Sequence, residues 1–128
     1  EQSGHILSAS HGLCGDGVLT ALQLATLCHA QGISLSDWLD RSFQAYPQKL
    51  VNVRVIDRLR RKNWSACTAL TDAIASAEQS MGETGRILVR ASGTEPVLRV
   101  MVEAEQSDAV EHWTGHLAAV AEDHLNAA

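Results

Sequence analysis

Val89-Arg90-Ala91-Ser92-Gly93-Thr94-Glu95-Pro96-Val97-Leu98-Arg99-Val100-Met101-Val102-Glu103 ends one β-strand and begins another around a short turn rich in hydroxyls and glycine. Ile87, Val89 and Ala91 alternate on one side of the turn, and Leu98, Val100, Val102 and Ala104 on the other, so each strand has one buried face. Arginines flank the turn. Arg90 and Arg99 offer planar guanidinium forks suited to phosphate oxygens, Ser92 and Thr94 offer hydroxyls, and Gly93 lets backbone N–H groups approach an anion. Glu95 precedes Pro96 and is biased to an extended conformation that leads into the second strand. Ser, Gly, Thr and Pro are also the commonest turn formers, so composition alone favours an ordinary hairpin turn.

Working outward, Val51, Val53 and Val55 alternate with Asn52 and Arg54, which predicts a half-buried strand. Ser65 is positioned to cap a helix carrying Ala66, Leu70, Ala73, Ile74, Ala77 and Met81, stopped by Gly82 and Gly85. Ser107 is positioned to cap another, with Asp108 and Glu111 in its first turn and Val110, Trp113, Leu117, Val120 and Leu125 facing a core. The order after Pro47 is therefore strand, helix, strand, strand, helix: an α+β unit whose small, mostly antiparallel sheet is covered by helices. Asp57 to Lys62 holds four of the ten positive charges. It reads as a solvated connecting loop; the alternative, a second anion site, lacks turn chemistry to shape it.

Before Pro47, His5 to Ser8 is a short strand candidate. Asp16 can cap a helix from about Gly17 to His29, apolar on most of its surface and expected to be mostly buried. Gly32 stops it, and Ser34 with Asp37 forms a capping-box pattern for a second helix bearing Leu35, Trp38, Leu39 and Phe43. One strand and two helices do not make a complete layer, so this segment reads as a strand-helix-helix remnant of an α/β domain. The expected boundaries are 1–46 and 47–128.

A chain of 128 residues, 45% hydrophobic, is long enough for one domain or a small domain plus part of another. A net charge of −5 argues against a nucleic-acid backbone as partner, so any phosphate affinity has to be local. No apolar run reaches membrane-spanning length and the start lacks a basic-then-apolar pattern, so the expectation is a cytoplasmic protein with no membrane partner. A chain cut at its N-terminus would have lost such a signal. Cys14, Cys28 and Cys67 are odd in number and widely spaced, reading as reduced thiols. His112 and His116 lie four apart on a predicted helix, but without a third ligand they read as a solvated face.

Arg90-Ala91-Ser92-Gly93-Thr94-Glu95-Pro96 through Glu103 resembles the phosphate-binding loop in the last domain of the phosphohexomutases. Glu1-Gln2-Ser3-Gly4-His5 is similar to that family's sugar-recognition loop, and Gly15-Asp16-Gly17 with its apolar helix to the segment after it. The form with Gly93 and Arg99 to Glu103 looks most like the branch interconverting glucosamine 6-phosphate and glucosamine 1-phosphate. Branches acting on phosphomannose or phosphoglucose are the runner-up, and a non-catalytic anion-binding module is the reading from another class.

The resemblance implies the end of a third, sugar-recognition domain followed by a whole fourth domain with a TBP-like fold. It implies an isomerase in which a phosphoserine of the first domain gives its phosphoryl group to a sugar phosphate and takes the other phosphate back from the bisphosphate. It assigns Arg90, Ser92, Gly93 and Thr94, with Arg99 more weakly, to phosphate binding, and Glu1 and Ser3 to the sugar. His5 either positions that loop or packs. The partners implied are a sugar phosphate and the N-terminal domains of the same protein.

Mg2+ is the cofactor implied for the parent enzyme, but the family's run of alternating aspartates is absent, and Asp16 alone gives a hard cation too few oxygens. No catalytic residue is expected in this chain, and none of its residues is expected to bind metal. Ser8-Ala9-Ser10-His11-Gly12 is similar to the family's nucleophile loop, but Gly12-Leu13 replaces the Asn-Pro that follows it there, so Ser10→Ala is expected to be tolerated. A few charge-assisted hydrogen bonds at about 1.5 to 3 kcal/mol each, less immobilisation costs, leave affinity near about −4 kcal/mol, or millimolar. That suits one wall of a multidomain active site, and the chain alone is expected to be inactive.

Overall fold

A computed structural model describes residues 4–12, 14–42 and 45–127, which fall into two compact units, Glu1–Gln44 and Ala45–Ala128. In the first unit the strand candidate at His5 to Ser8 reduces to a single bridge between Leu7 and Gly15. Helix α1 (Gly17–Gln31) starts where the Asp16 carboxylate accepts the Leu19 N–H at 2.9 Å. It ends at Gly32, which takes the left-handed conformation (φ 61°) that a closing helix turn requires. Helix α2 (Leu35–Ser42) opens with Ser34 Oγ accepting the Asp37 N–H at 3.1 Å and donating to the Asp37 carboxylate at 2.6 Å.

Neither helix has a buried residue, and Val18 and Leu22 are 73% and 62% exposed. The expected burial of α1 is therefore not met. Its apolar surface is real, but the described residues of this unit supply no sheet to cover it. Phe43, one of the side chains expected on α2, lies outside the described residues.

The second unit has strands β1 (Gln48–Arg54), β2 (Gly85–Ala91) and β3 (Val97–Ala104) in one antiparallel sheet of order β1-β3-β2. Its helices are α3 (Arg58–Lys62), α4 (Thr68–Met81) and α5 (Ser107–Leu125). Helix α5 packs on β1 and β3, and α4 on β2 and α5. Val53, Leu98, Val100 and Val102 meet Leu70, Ala77, Val110, Leu117 and Ala121 in one core, so both helices lie on a single face of the sheet. The strand alternation follows from that one-sided burial.

Three local expectations change. Asp57 to Lys62 is not a loop: the Asp57 carboxylate accepts the N–H groups of Leu59 and Arg60 at 2.8 and 3.0 Å and caps α3. Helix α4 begins at Thr68 after a 3-10 turn at Trp64–Ala66, so Cys67, not Ser65, stands at its N-cap and Ala66 is exposed. Helix α5 has Gln106 at its N-cap and buries Val110, Thr114, Leu117, Ala121 and Leu125, with Trp113 and Val120 only partly buried. Thr114 fits because its hydroxyl donates to the Val110 carbonyl at 2.6 Å. Among the described residues no single helix is long and apolar enough to cross a membrane.

Candidate functional site

Because Val89 and Ala91 point to the helices, Arg90 stands on the sheet's other, helix-free face. The register sets Arg99 directly opposite Arg90, and Asn52 of β1 opposite Arg99, so one row across that face reads Asn52, Arg99, Arg90. Two guanidinium-bearing residues thus form a cross-strand pair in an acidic chain. Arg54 faces Val97 at the next position along.

The turn beyond this row is fixed from within. Ser92 donates its N–H to the Val97 carbonyl at 2.9 Å, and Ser92 Oγ accepts the Glu95 N–H at 3.2 Å, leaving the hydroxyl proton for another acceptor. The Pro96 carbonyl accepts the Val55 N–H at 2.9 Å, anchoring the turn to the chain after β1. Gly93 and Thr94 are exposed. Gly93 has no positive φ and a Cβ there would meet nothing within 4 Å, so neither backbone nor packing asks for glycine. The Glu95 carboxylate lies 3.6 Å from Arg99 Nη2.

Arg90, Ser92, Gly93, Thr94 and Arg99 are thus brought together at one end of the sheet. Asn52 and Arg54 were not singled out from sequence, although the Val51-Val53 alternation puts both on the outer face; the missing information was that β1 pairs with β3. Glu1 and Ser3 lie outside the described residues. The His5 ring lies against Gly15, where a Cβ would come within 2.9 Å of His5 Cδ2, and together with Asp16 and Thr20 it lines a cleft of about 450 Å³. Ser8 and Ser10 hydroxyls sit 3.0 and 2.9 Å from His11 Nδ1 in an exposed cluster. Among the described residues no group of three or more His, Cys, Asp or Glu is placed to hold a metal ion. The ionisation of Asp57 is clearly perturbed. The Arg60 and Leu59 N–H groups, helped by the charges of Arg60 and Arg61, hold its carboxyl below the usual aspartate range.

The sheet, its one-sided helices and the arginine-flanked loop are those of a phosphohexomutase C-terminal domain, and residues 50–120 match the phosphoglucomutase/phosphomannomutase C-terminal domain. Residues 1–46 match the same family's alpha/beta/alpha domain III. The chain belongs to the phosphoglucomutase/phosphomannomutase family, of which it is a C-terminal portion. Within that family it is 94% identical over all 128 residues to phosphoglucosamine mutase of Synechococcus sp. (strain CC9605). It is 75% identical over the same span to phosphoglucosamine mutase of Parasynechococcus marenigrum (strain WH8102). It covers 28% of the length of each.

Among solved structures, N-acetylphosphoglucosamine mutase of Aspergillus fumigatus, in complex with GlcNAc-6P and magnesium, superposes with a TM-score of 0.72 at 26% identity, over 87% of this chain and 22% of that one. The product complex of an N-acetylglucosamine-phosphate mutase, a member of the alpha-D-phosphohexomutase superfamily, gives 0.68 at 32% identity, over 84% and 21%.

Proposed function

We propose that the chain is the phosphate-holding and sugar-contacting part of a cytoplasmic phosphoglucosamine mutase, interconverting glucosamine 6-phosphate and glucosamine 1-phosphate through a phosphoserine enzyme and a bisphosphate. Residues 1–46 are the end of its third domain and 47–128 its fourth. Arg90 and Arg99 neutralise the phosphate that is not being transferred, Ser92 and Thr94 donate hydroxyl hydrogens to it, and the exposed backbone at Gly93 lies close against it. Glu1 and Ser3 contact the sugar hydroxyls, and His5, seated on Gly15, orients their loop.

One observation carries the reading: an arginine pair opposed across two strands beside a loop whose glycine no internal contact requires, in a chain 94% identical to a phosphoglucosamine mutase. With open space around Gly93, its backbone is accessible to an anion. A grip made of charge and hydroxyls accepts a phosphate from either end of the sugar, as a bisphosphate that turns around requires. Mg2+, when bound by residues elsewhere in the longer protein, stabilises charge on the phosphoryl group in flight.

The test is turnover by the longer protein with glucosamine 6-phosphate, mannose 6-phosphate and glucose 6-phosphate. Preference for the amino sugar is expected, and far better turnover of either other sugar would overturn the assignment. The 128-residue chain alone is expected to show none.

A further inference from the structure

We infer that Glu95 is an internal counter-ion that competes with phosphate for Arg99 and thereby sets how loosely the loop holds its anion. The inference rests on the phosphate-binding reading of the same loop. Arg90 and Arg99 are fixed opposite each other by register, and their strands cannot part because Val89, Ala91, Leu98 and Val100 are packed on the other face. Like charges so placed favour any anion that reaches them. The loop supplies one of its own. Glu95, four residues before Arg99, brings its carboxylate to 3.6 Å from the guanidinium. That distance is within ion-pair reach but too long for a hydrogen bond, so no directional bond has to break when the two separate.

The backbone of Glu95 is fixed and its side chain is not. Its N–H is held by Ser92 Oγ, and Pro96 restricts its conformation and is itself anchored through the Val55 N–H. Its side chain is 60% exposed, with room to swing away. The fold therefore delivers a carboxylate to Arg99 and leaves only Coulomb attraction to keep it there. A phosphate monoester, with a charge of about −1.5 to −2 and three acceptor oxygens, outcompetes it for two guanidinium groups. Once phosphate is seated, Glu95 is a nearby like charge that weakens the grip. In a loop that has to release one end of a bisphosphate and take the other, such a competitor favours release.

Titrating inorganic phosphate into the 128-residue chain and following the backbone amides of residues 90–95 by NMR reads the dissociation constant. Glu95→Gln is expected to bind about three- to tenfold more tightly than wild type, and Glu95→Ala to shift in the same direction. The gain shrinks as salt is raised. Tighter binding is a change that mere structural damage to the loop would not produce. Equal or weaker binding by both variants, with the wild-type shifts intact, overturns the counter-ion role and leaves the phosphate-binding reading standing. Absence of shifts in all three proteins overturns both.

Discussion

Leu98 lies directly beneath the candidate site, one residue before Arg99 on the central strand, between Val53 of β1 and Ala91 of β2, and is 0% exposed. Leu98→Ala removes the side chain from a core closed by α4 and α5, where little can collapse into the gap. A loss of about 3 to 5 kcal/mol is expected. A unit the size of residues 45–128 carries about 4 to 13 kcal/mol in total, so this one change takes a large share, and the melting midpoint should fall by about 12 °C or more.

Leu88 provides the control. It belongs to the adjacent strand but points to the helix-free face and is 42% exposed, so Leu88→Ala should cost only about 1 kcal/mol. Urea unfolding followed by fluorescence of Trp64 and Trp113, both packed against this core, measures the difference in a Trp38→Phe background that silences the first unit. Equal losses from the two substitutions would refute the assignment of the two sheet faces, and with it the placement of Arg90 and Arg99 on the open one.

Other outcomes follow from the same structure. Gly85→Ala would place a Cβ 2.8 Å from Met81 Sδ and 3.1 Å from the Glu103 carbonyl, and should cost about 1 to 3 kcal/mol in the same melts. Asp57 has a lowered folded-state pKa, so its stabilising contribution is present above its unfolded pKa and is lost as pH falls through the folded value, below about pH 4. Asp57→Ala should flatten that acid limb of the stability profile. Amide hydrogen exchange should be faster in α1 and α2, which bury no residue, than in β3 and α5; uniform protection would count against two units of unequal stability. Ser10→Ala in the longer protein should leave serine phosphorylation unchanged by mass spectrometry, since Gly12-Leu13 stands where the nucleophile loop it resembles has Asn-Pro.

Much of the second unit was legible in the sequence because one-sided burial leaves a period-two mark: Val51 and Val53, Ile87 and Val89, and Leu98 and Val100 all face the core as their alternation implied. Asp16, Gly32 and the Ser34-Asp37 pair announced helix ends because a cap is local chemistry. Strand order was not legible. Nothing local in Asn52 or Arg54 reports that β1 pairs with β3, so their place beside Arg99 emerged only from the register. The basic run after Asp57 hid a helix because its charges outweighed the one carboxylate that caps it. The apolar sequence of α1 implied burial, which depends on what covers a surface and not on the surface alone. For the site, residue types pointed to an anion, but the Glu95–Arg99 contact needed three dimensions.

Arg86 and Arg90 lie on the same face of β2, and Arg86 is engaged by Glu103 at 2.8 Å, away from the loop, so the pair separates phosphate binding from mere positive charge. In the longer protein, if Arg90 holds the phosphate as proposed, Arg90→Ala should lower kcat/KM for glucosamine 6-phosphate by about ten- to a hundredfold, the cost of one charge-assisted contact. Arg86→Ala should leave it within about threefold. An unchanged kcat/KM for Arg90→Ala, or equal losses from both substitutions, would mean that this loop does not hold the substrate phosphate.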